Sequence, residues 1–503
     1  MIRFGEYLPD LPVLGNPGAT VANNVIPFGG TYLPLKAISA VSDAMNQRVK
    51  GALAVRHTDA TGYTYAGTTS KLYEITGTGG AVTDRSGAVY TTAVDEFWEM
   101  IKWGNKVIAS NFTDVPQIVT IAAGANFAAL GGSPHKWRHM AVVKEFIITG
   151  NVDEAGTLTP NKLIWSGVND ETAWTATAAN LGGNQTLQSS AKYGGGWIMN
   201  IKGGEFGVIF QEFTIWRMSF IGSPYTFEFD EILPGHGTSA KNSPVQVGNS
   251  IYFLDQDGFA VLTDGSQIRN IGHNKVNRTF ISDVDSQYLN NVIGAVDPTL
   301  TVVYWIYPGS GSASGVPNKI IAYNYASDRW ATAEIDCEYI ISGLGQGYTL
   351  EQLDTISASL DSLPASLDSR QWTEGATQLT GFNTDHKMGT FTGTTLTASL
   401  ETAEFTIADM VAEELLAKFA GRRAFVNGIR PLLHGGTATV ALKTRNLQSD
   451  SVTTGSTISQ NTETGICHPR TDARYFRALV QNTGDFNFAV GVDITDIKPS
   501  GGR

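Results

Sequence analysis

Charged residues, cysteines and long apolar runs are all scarce in this 503-residue chain. Only 16% of its residues are charged, against about 25% in ordinary globular domains. The two cysteines, Cys337 and Cys467, lie far apart and offer no disulfide framework. Cys467 adjoins His468, but two neighbours cannot build a metal site without further ligands. No stretch of about 18 apolar residues occurs, which excludes a transmembrane helix. The opening MIRFGEYLPDLPVLGNPG places Glu, Asp and Pro where a signal peptide needs an apolar core. The expectation is a chain made and folded in the cytoplasm.

Catalytic signatures are missing as well. There is no GxxxxGK[ST], GxSxG, HExxH or paired CxxC. The Gly-rich runs Gly77 to Gly80 and Gly309 to Gly315 lack the third glycine of GxGxxG and a following helix, so they read as loop tips. Among eight histidines, only His135 and His139 have ligand spacing. An i, i+4 pair shares one face for a metal only in a helix, and HKWRHMAVV leads into a strand pattern. Ser166 to Trp174, SGVNDETAW, loosely resembles the Asp box of sialidases. Its Asp is displaced and its Gly missing, and that box is a turn rather than a catalytic site. Glycoside cleavage needs two carboxylates facing each other across a substrate, and none can be paired from sequence. No catalytic, cofactor-binding or metal-binding residue is assigned.

The formal net charge is −12. Residues 393–503 hold 11 Lys+Arg and 11 Asp+Glu, so the acidic excess lies in 1–392. A surface that grips nucleic acid needs clustered cations instead. Arg422-Arg423 and Arg470 to Arg477 are the nearest to basic patches. Nearby Glu413, Glu414 and Asp472 offset them, which favours a solvated face or a subunit interface.

Glycine is abundant, at 55 residues, and it punctuates short β patterns. In Gly248 to Gly272, the runs Ser250 to Leu254, Phe259 to Leu262 and Gln267 to Ile271 are separated by two Asp-Gly pairs. Such pairs between apolar runs signal tight hairpins, since the turn requires φ > 0. Similar groups of three or four strands recur every 40–50 residues or so from Gly51 onward, the size of a propeller blade. At that period the stretch holds about six or seven blades. All ten tryptophans lie between Trp98 and Trp372, where they can fill the wedges between splayed sheets. Ile320 to Trp330, IIAYNYASDRW, has the strand–turn–strand form in which Trp packs between blades.

The chain thus divides into three parts. Residues 1–50, with five prolines and a short helix expected over Ile38 to Arg48, form an extended arm. Residues 51–392 form the propeller, with helical interludes at Asn274 to Asn290 and Thr349 to Leu360 and an excursion over Ser357 to Ser369. Residues 393–503 are expected to make a β-sandwich of five strands, with an amphipathic helix over Asp409 to Phe419. The fold class is all-β: a propeller plus a C-terminal sandwich-like platform that the N-terminal arm joins.

Tyr65 to Ile75 (YAGTTSKLYEI), Ile101 to Val119 (IKWGNKVIASNFTDVPQIV), WSGVNDETAW, the DQDGF turn, Gly421 to Leu433 (GRRAFVNGIRPLL) and Gly491 to Gly501 (GVDITDIKPSG) follow one another in a characteristic order. Together with the Pro-rich arm, this resembles the tail nozzle proteins of short-tailed bacteriophages, also called tail tubular or packaged-DNA stabilisation proteins. The resemblance implies a structural virion protein, not an enzyme, assembled in the bacterial cytoplasm and located in the tail. It further implies a hexameric ring below the head-to-tail adaptor, contact with tail fibres or spikes, and double-stranded DNA passing without sequence readout. An acidic or neutral channel wall would let the DNA slide, being felt over about 8 Å at physiological salt. The alternative is a carbohydrate-binding or glycan-cleaving propeller, tailspike-like or lectin-like.

Overall fold

The computed structural model describes residues 1–59, 61–76, 80–190, 192, 194–344, 359, 377–410 and 422–501. Nearly all of its regular structure is β. Seven four-stranded antiparallel meanders follow one another among the described residues. Their innermost strands are Gly51–Arg56, Glu99–Trp103, Lys136–Val143, Ile198–Lys202, Val245–Val247, Ile293–Asp297 and Tyr339–Leu344. The last of these packs beside the first, so the meanders close into a propeller-like ring.

Between neighbouring blades lies an apolar wedge, because each sheet is buried on both faces and splays from its neighbours. Trp103, Trp137 and Ile147 fill the second wedge, while Phe210, Ile215 and Phe253 fill the fourth. In the fifth, Trp330 and Trp305 lie 6.1 Å apart against Phe259. Each indole finds a carbonyl in the preceding blade: Trp330 donates to Ile271 at 3.2 Å and Trp305 to Ser243 at 2.8 Å. Burying such a ring is worth on the order of 4–6 kcal/mol by area, an upper bound.

Closure of the ring uses the arm. The seventh blade consists of Tyr339–Leu344, Thr377–Phe382, Lys387–Thr390 and, outermost, Ser39–Ala44. Met45, Val49, Phe382 and Met388 then pack against Ala66 and Ile75 of the first blade. The helix expected over Ile38 to Arg48 is therefore a strand. Its local apolar spacing suits one helix face, but the open edge of Lys387–Thr390 supplies backbone partners that override it. Part of the stretch 1–50 thus belongs to the propeller.

The rest of the arm enters two other sheets. Ile2–Arg3, Val25–Phe28 and Thr31–Pro34 join Ala424–Leu433, Thr471–Ala473 and Ala489–Pro499. Val21–Asn23 lies between the sixth blade and Ala398–Glu401, pairing parallel to the first and antiparallel to the second. Beyond Ala398–Glu401 come Tyr475–Thr483 and Thr437–Arg445. Val426, Ile429 and Val492 of one sheet share a core with Leu400, Val440 and Phe476 of the other.

Several local expectations need adjusting. The fourth strand of the first blade is Ala81–Asp84. The stretch 378–391 is two strands, turning at 383–386. Asn277–Asp283 is helical and Ser286–Asn291 a 3₁₀ turn, within the expected interlude. Most of Thr349 to Leu360, Ser357 to Ser369 and Asp409 to Phe419 lies outside the described residues, as do Gly77, Thr78, Gly79 and Trp372.

The Asp-Gly segment forms the outer three strands of the fifth blade, Ser250–Asp255, Gly258–Thr263 and Gln267–Asn270. Gly258 sits at φ +118°, where an added Cβ would lie 2.0 Å from Asn277 Nδ2. That amide is fixed, donating to Asp257 O at 3.0 Å and accepting from Phe259 N at 3.1 Å. At Gly265, φ +62°, the Cβ would meet only the rim of the Phe206 ring, which can swing aside. Gly265→Val should cost about 1–3 kcal/mol of backbone strain, and Gly258→Val about 1–2 kcal/mol more through lost hydrogen bonds. Melting midpoints of the two variants check this order; equal midpoints would contradict it.

Candidate functional site

The innermost strands surround a polar cavity of about 180 Å³, lined from six of them and from Lys241, Asn242 and Pro244, which lead into the fifth blade. Alternation along a strand turns every second side chain the same way. It places Asn200 and Lys202 of the fourth blade on one side of their strand, facing this space. Glu96 is the hub of the charged lining. Its Oε1 accepts from Arg138 Nε at 2.7 Å, and its Oε2 from Lys241 Nζ at 3.1 Å. Lys241 also donates to Asp95 O at 2.7 Å, and Arg138 to Asn151 Oδ1 at 2.8 Å. Burial pushes the Glu96 carboxyl up, but the Lys241 and Arg138 charges outweigh it and hold the group below its ordinary value. Burial pushes the Lys241 amine down, against the pull of Glu96.

A second pair stands beside this one. His139 Nδ1 meets Glu99 Oε2 at 3.0 Å, and Lys202 lies close enough to feel the Glu99 charge. Asn200 donates through Nδ2 to Lys241 O at 2.7 Å, while its Oδ1 has no partner. Lys50 caps the carbonyls of Ala93 and Val94 at 2.5 and 2.9 Å. Burial, aided by Arg48, lowers its amine to about 8.

The residues that stand out in the sequence lie elsewhere, His139 excepted. His135 is half-buried against Trp137 and Trp174, with Nε2 2.8 Å from Thr149 Oγ1. Burial lowers it to about 4, which leaves it neutral at physiological pH. His139 lies four strand residues on, roughly 13 Å along the chain. Cys467 faces the core, its thiol raised to about 11 by burial, while His468 contacts Asn427 O at 2.9 Å on the outside. Cys337 is likewise buried, its thiol raised by burial to about 12.

SGVNDETAW forms a clamp between the second and third blades. Asp170 accepts from Thr172 N and Oγ1 at 2.8 and 2.7 Å. Glu171 accepts from Trp103 Nε1 at 3.1 Å and pairs with Lys106. Arg423 pairs with Asp472 at 2.8 Å; Glu413 and Glu414 lie outside the described residues. Arg477 and Arg445 turn to the buried carboxylates Glu401 and Glu404, with Arg445 bidentate on Glu404 at 2.7 and 2.6 Å. Thr20 of the arm donates to Glu401 Oε1 at 3.2 Å. No group of three or more His, Cys, Asp or Glu suited to a metal is present among the described residues, and no described helix is long and apolar enough to cross a membrane.

No family model and no curated protein matches the chain. Solved structures resemble it loosely, each at 9% identity. The computationally designed Ika8 protein covers 70% of this chain and 98% of its own, at a TM-score of 0.36. The Neurospora crassa Pan2 WD40 domain covers 72% and 96%, at 0.37. The extracellular domain of a putative hybrid two-component system from B. thetaiotaomicron covers 86% and 46%, at 0.40. None of these likenesses bears on function.

Glu96→Gln would leave Lys241 and Arg138 buried without their counterion, at a cost of about 3–5 kcal/mol. Because the folded carboxyl titrates below its unfolded value, its contribution is present above the unfolded value and disappears as pH falls through the folded one. Melting of wild type and Glu96→Gln from pH 7 downward should show a gap that closes in acid. A gap that widens in acid would contradict the assignment.

Proposed function

We propose that the chain is a tail nozzle, or hub, protein of a short-tailed bacteriophage: a structural virion component that works as an assembled ring. In this reading six copies continue the DNA channel below the head-to-tail adaptor, retain the packaged genome, carry fibres or spikes, and open at ejection. The observation that carries the reading is the interleaving of the two chain ends. Ile2–Arg3 pairs with Gly491 and Val492, and Val21–Asn23 with Ala398–Glu401. The family resemblance implies a platform built from both chain ends beside a propeller, and the two-sheet unit is the part suited to that role.

Two physical features agree with it. The unit is hydrogen-bonded to the sixth blade through Asn23 and Thr332, so a load on one part is carried to the other. The net charge of −12 suits a wall past which DNA slides, since repulsion within a screening length prevents sticking.

Light scattering and negative-stain imaging of the purified chain test the proposal. The expected result is a six-fold ring with an axial hole. A stable monomer that binds or cleaves polysaccharide would overturn it in favour of a glycan-active propeller.

A further inference from the structure

The outer hairpin of the fourth blade ends in an uncovered apolar tip. Gly207–Gln211 pairs with its neighbour Thr214–Gly222 only as far as Met218. Residues 219–222 and their partners 226–228 therefore continue beyond the sheet as a two-stranded finger. At about 3.3 Å per residue, the finger stands roughly 10 Å clear. The corresponding hairpins of the first, fifth and sixth blades have strands of four to six residues, against nine and nine here.

Phe220, Ile221 and Tyr225 are 41%, 51% and 75% exposed, and Ser219 to Phe227, SFIGSPYTF, holds no charge. The finger is nonetheless braced. Phe220 lies 5.8 Å from the buried Phe146 ring of the third blade and 5.7 Å from Phe227. Thr226 Oγ1 donates to Leu181 O at 3.0 Å. An apolar tip held out in this way marks a contact site.

Area, shape and charge decide what covers it. At about 150–250 Å² for a large side chain, the three exposures leave roughly 300 Å² open. A stable protein interface takes about 800 Å² from each partner. A convex tip would also need a matching groove in a protein, whereas a fluid lipid layer closes around it. Behind the tip, Glu228 and Asp230 are exposed, while Arg217 is turned over the Phe206 ring at 4.5 Å. With a net charge of −12 on the chain, anionic headgroups would be repelled within about 8 Å.

We propose that this finger docks on a zwitterionic phospholipid surface, with Ile221, Tyr225 and the edge of Phe220 in the interfacial layer, where amphipathic aromatics settle. The contact is peripheral and belongs to each copy of the chain, so it does not depend on assembly into a ring.

Flotation of the full chain with vesicles of phosphatidylcholine, and of phosphatidylcholine mixed with phosphatidylglycerol, tests this. The chain should float with the first and less with the second at low salt. Ile221→Ser and Tyr225→Ser should each weaken partitioning about 10-fold, by the apolar area removed. Their melting midpoints should stay at the wild-type value because both side chains are exposed, and Tyr225→Trp should retain binding. No flotation with phosphatidylcholine, stronger flotation with the anionic vesicles, or a folded double serine variant that floats like the wild type would each overturn the proposal. Light scattering of the same samples reads the rival occupant, a second copy. Assembly lost in the double variant, while the wild type ignores vesicles, would assign the finger to a protein contact instead. Should the double variant not fold, the two vesicle types compared on the wild type still decide it.

Discussion

Backbone pairing between the first 44 residues and the distant end of the chain is the constraint on which the structure rests. Ala40 pairs with Gly389, closing a loop of roughly 350 residues at an entropic cost of about 5 kcal/mol. The strand pairs alone would struggle to offset this. The wedge made by Met45, Val49, Phe382 and Met388 against the first blade supplies the remainder. A second set of pairings ties Ile2–Arg3 and Val21–Asn23 to the C-terminal sheets. The arm has little core of its own, and its prolines keep it extended until these edges exist to receive it. Its order is therefore a consequence of the folded remainder, while the closure of the remainder depends on the arm.

Charge is organised by the same geometry. A ring of inward-facing strands brings side chains distant in sequence to one axis, where low dielectric magnifies each interaction. Glu96, Arg138 and Lys241 lie far apart in the sequence, and the single carboxylate of Glu96 faces both cations. At the junction of arm and C-terminal sheets, Glu401 and Glu404 do the corresponding work for Lys443, Arg445 and Arg477. In both clusters a misregistered strand would leave a charge without its partner, which is costly away from water.

Strand patterns inside the blades were legible because β-branched and aromatic runs alternate with Gly, Asp and Asn turns over short distances. Ser250–Asp255, Gly258–Thr263 and Gln267–Asn270 fall within a residue of where their composition places them. What escaped was everything that depends on a distant partner. Ser39–Ala44 is amphipathic enough for a helix and becomes a strand only because an edge is open nearby. Val245–Val247, only three residues long, carries too little pattern to be noticed. The central cavity was invisible for the same reason: Glu96, His139, Asn200 and Lys241 have no mutual spacing until the ring closes. Conversely, the conspicuous pair His135 and His139 splits between an aromatic pocket and the cavity, since a strand spreads what a helix would gather.

Amide hydrogen exchange over residues 21–28 and 39–44 tests the closure most directly. Residues 39–44 are predicted to open only with Tyr339–Leu344, whose sheet they complete, and residues 21–28 only with the C-terminal sheets they join, because their hydrogen bonds are rungs of those ladders. Exchange at the rate of an unstructured peptide, with the blades still protected, would contradict the claim that the arm closes the ring.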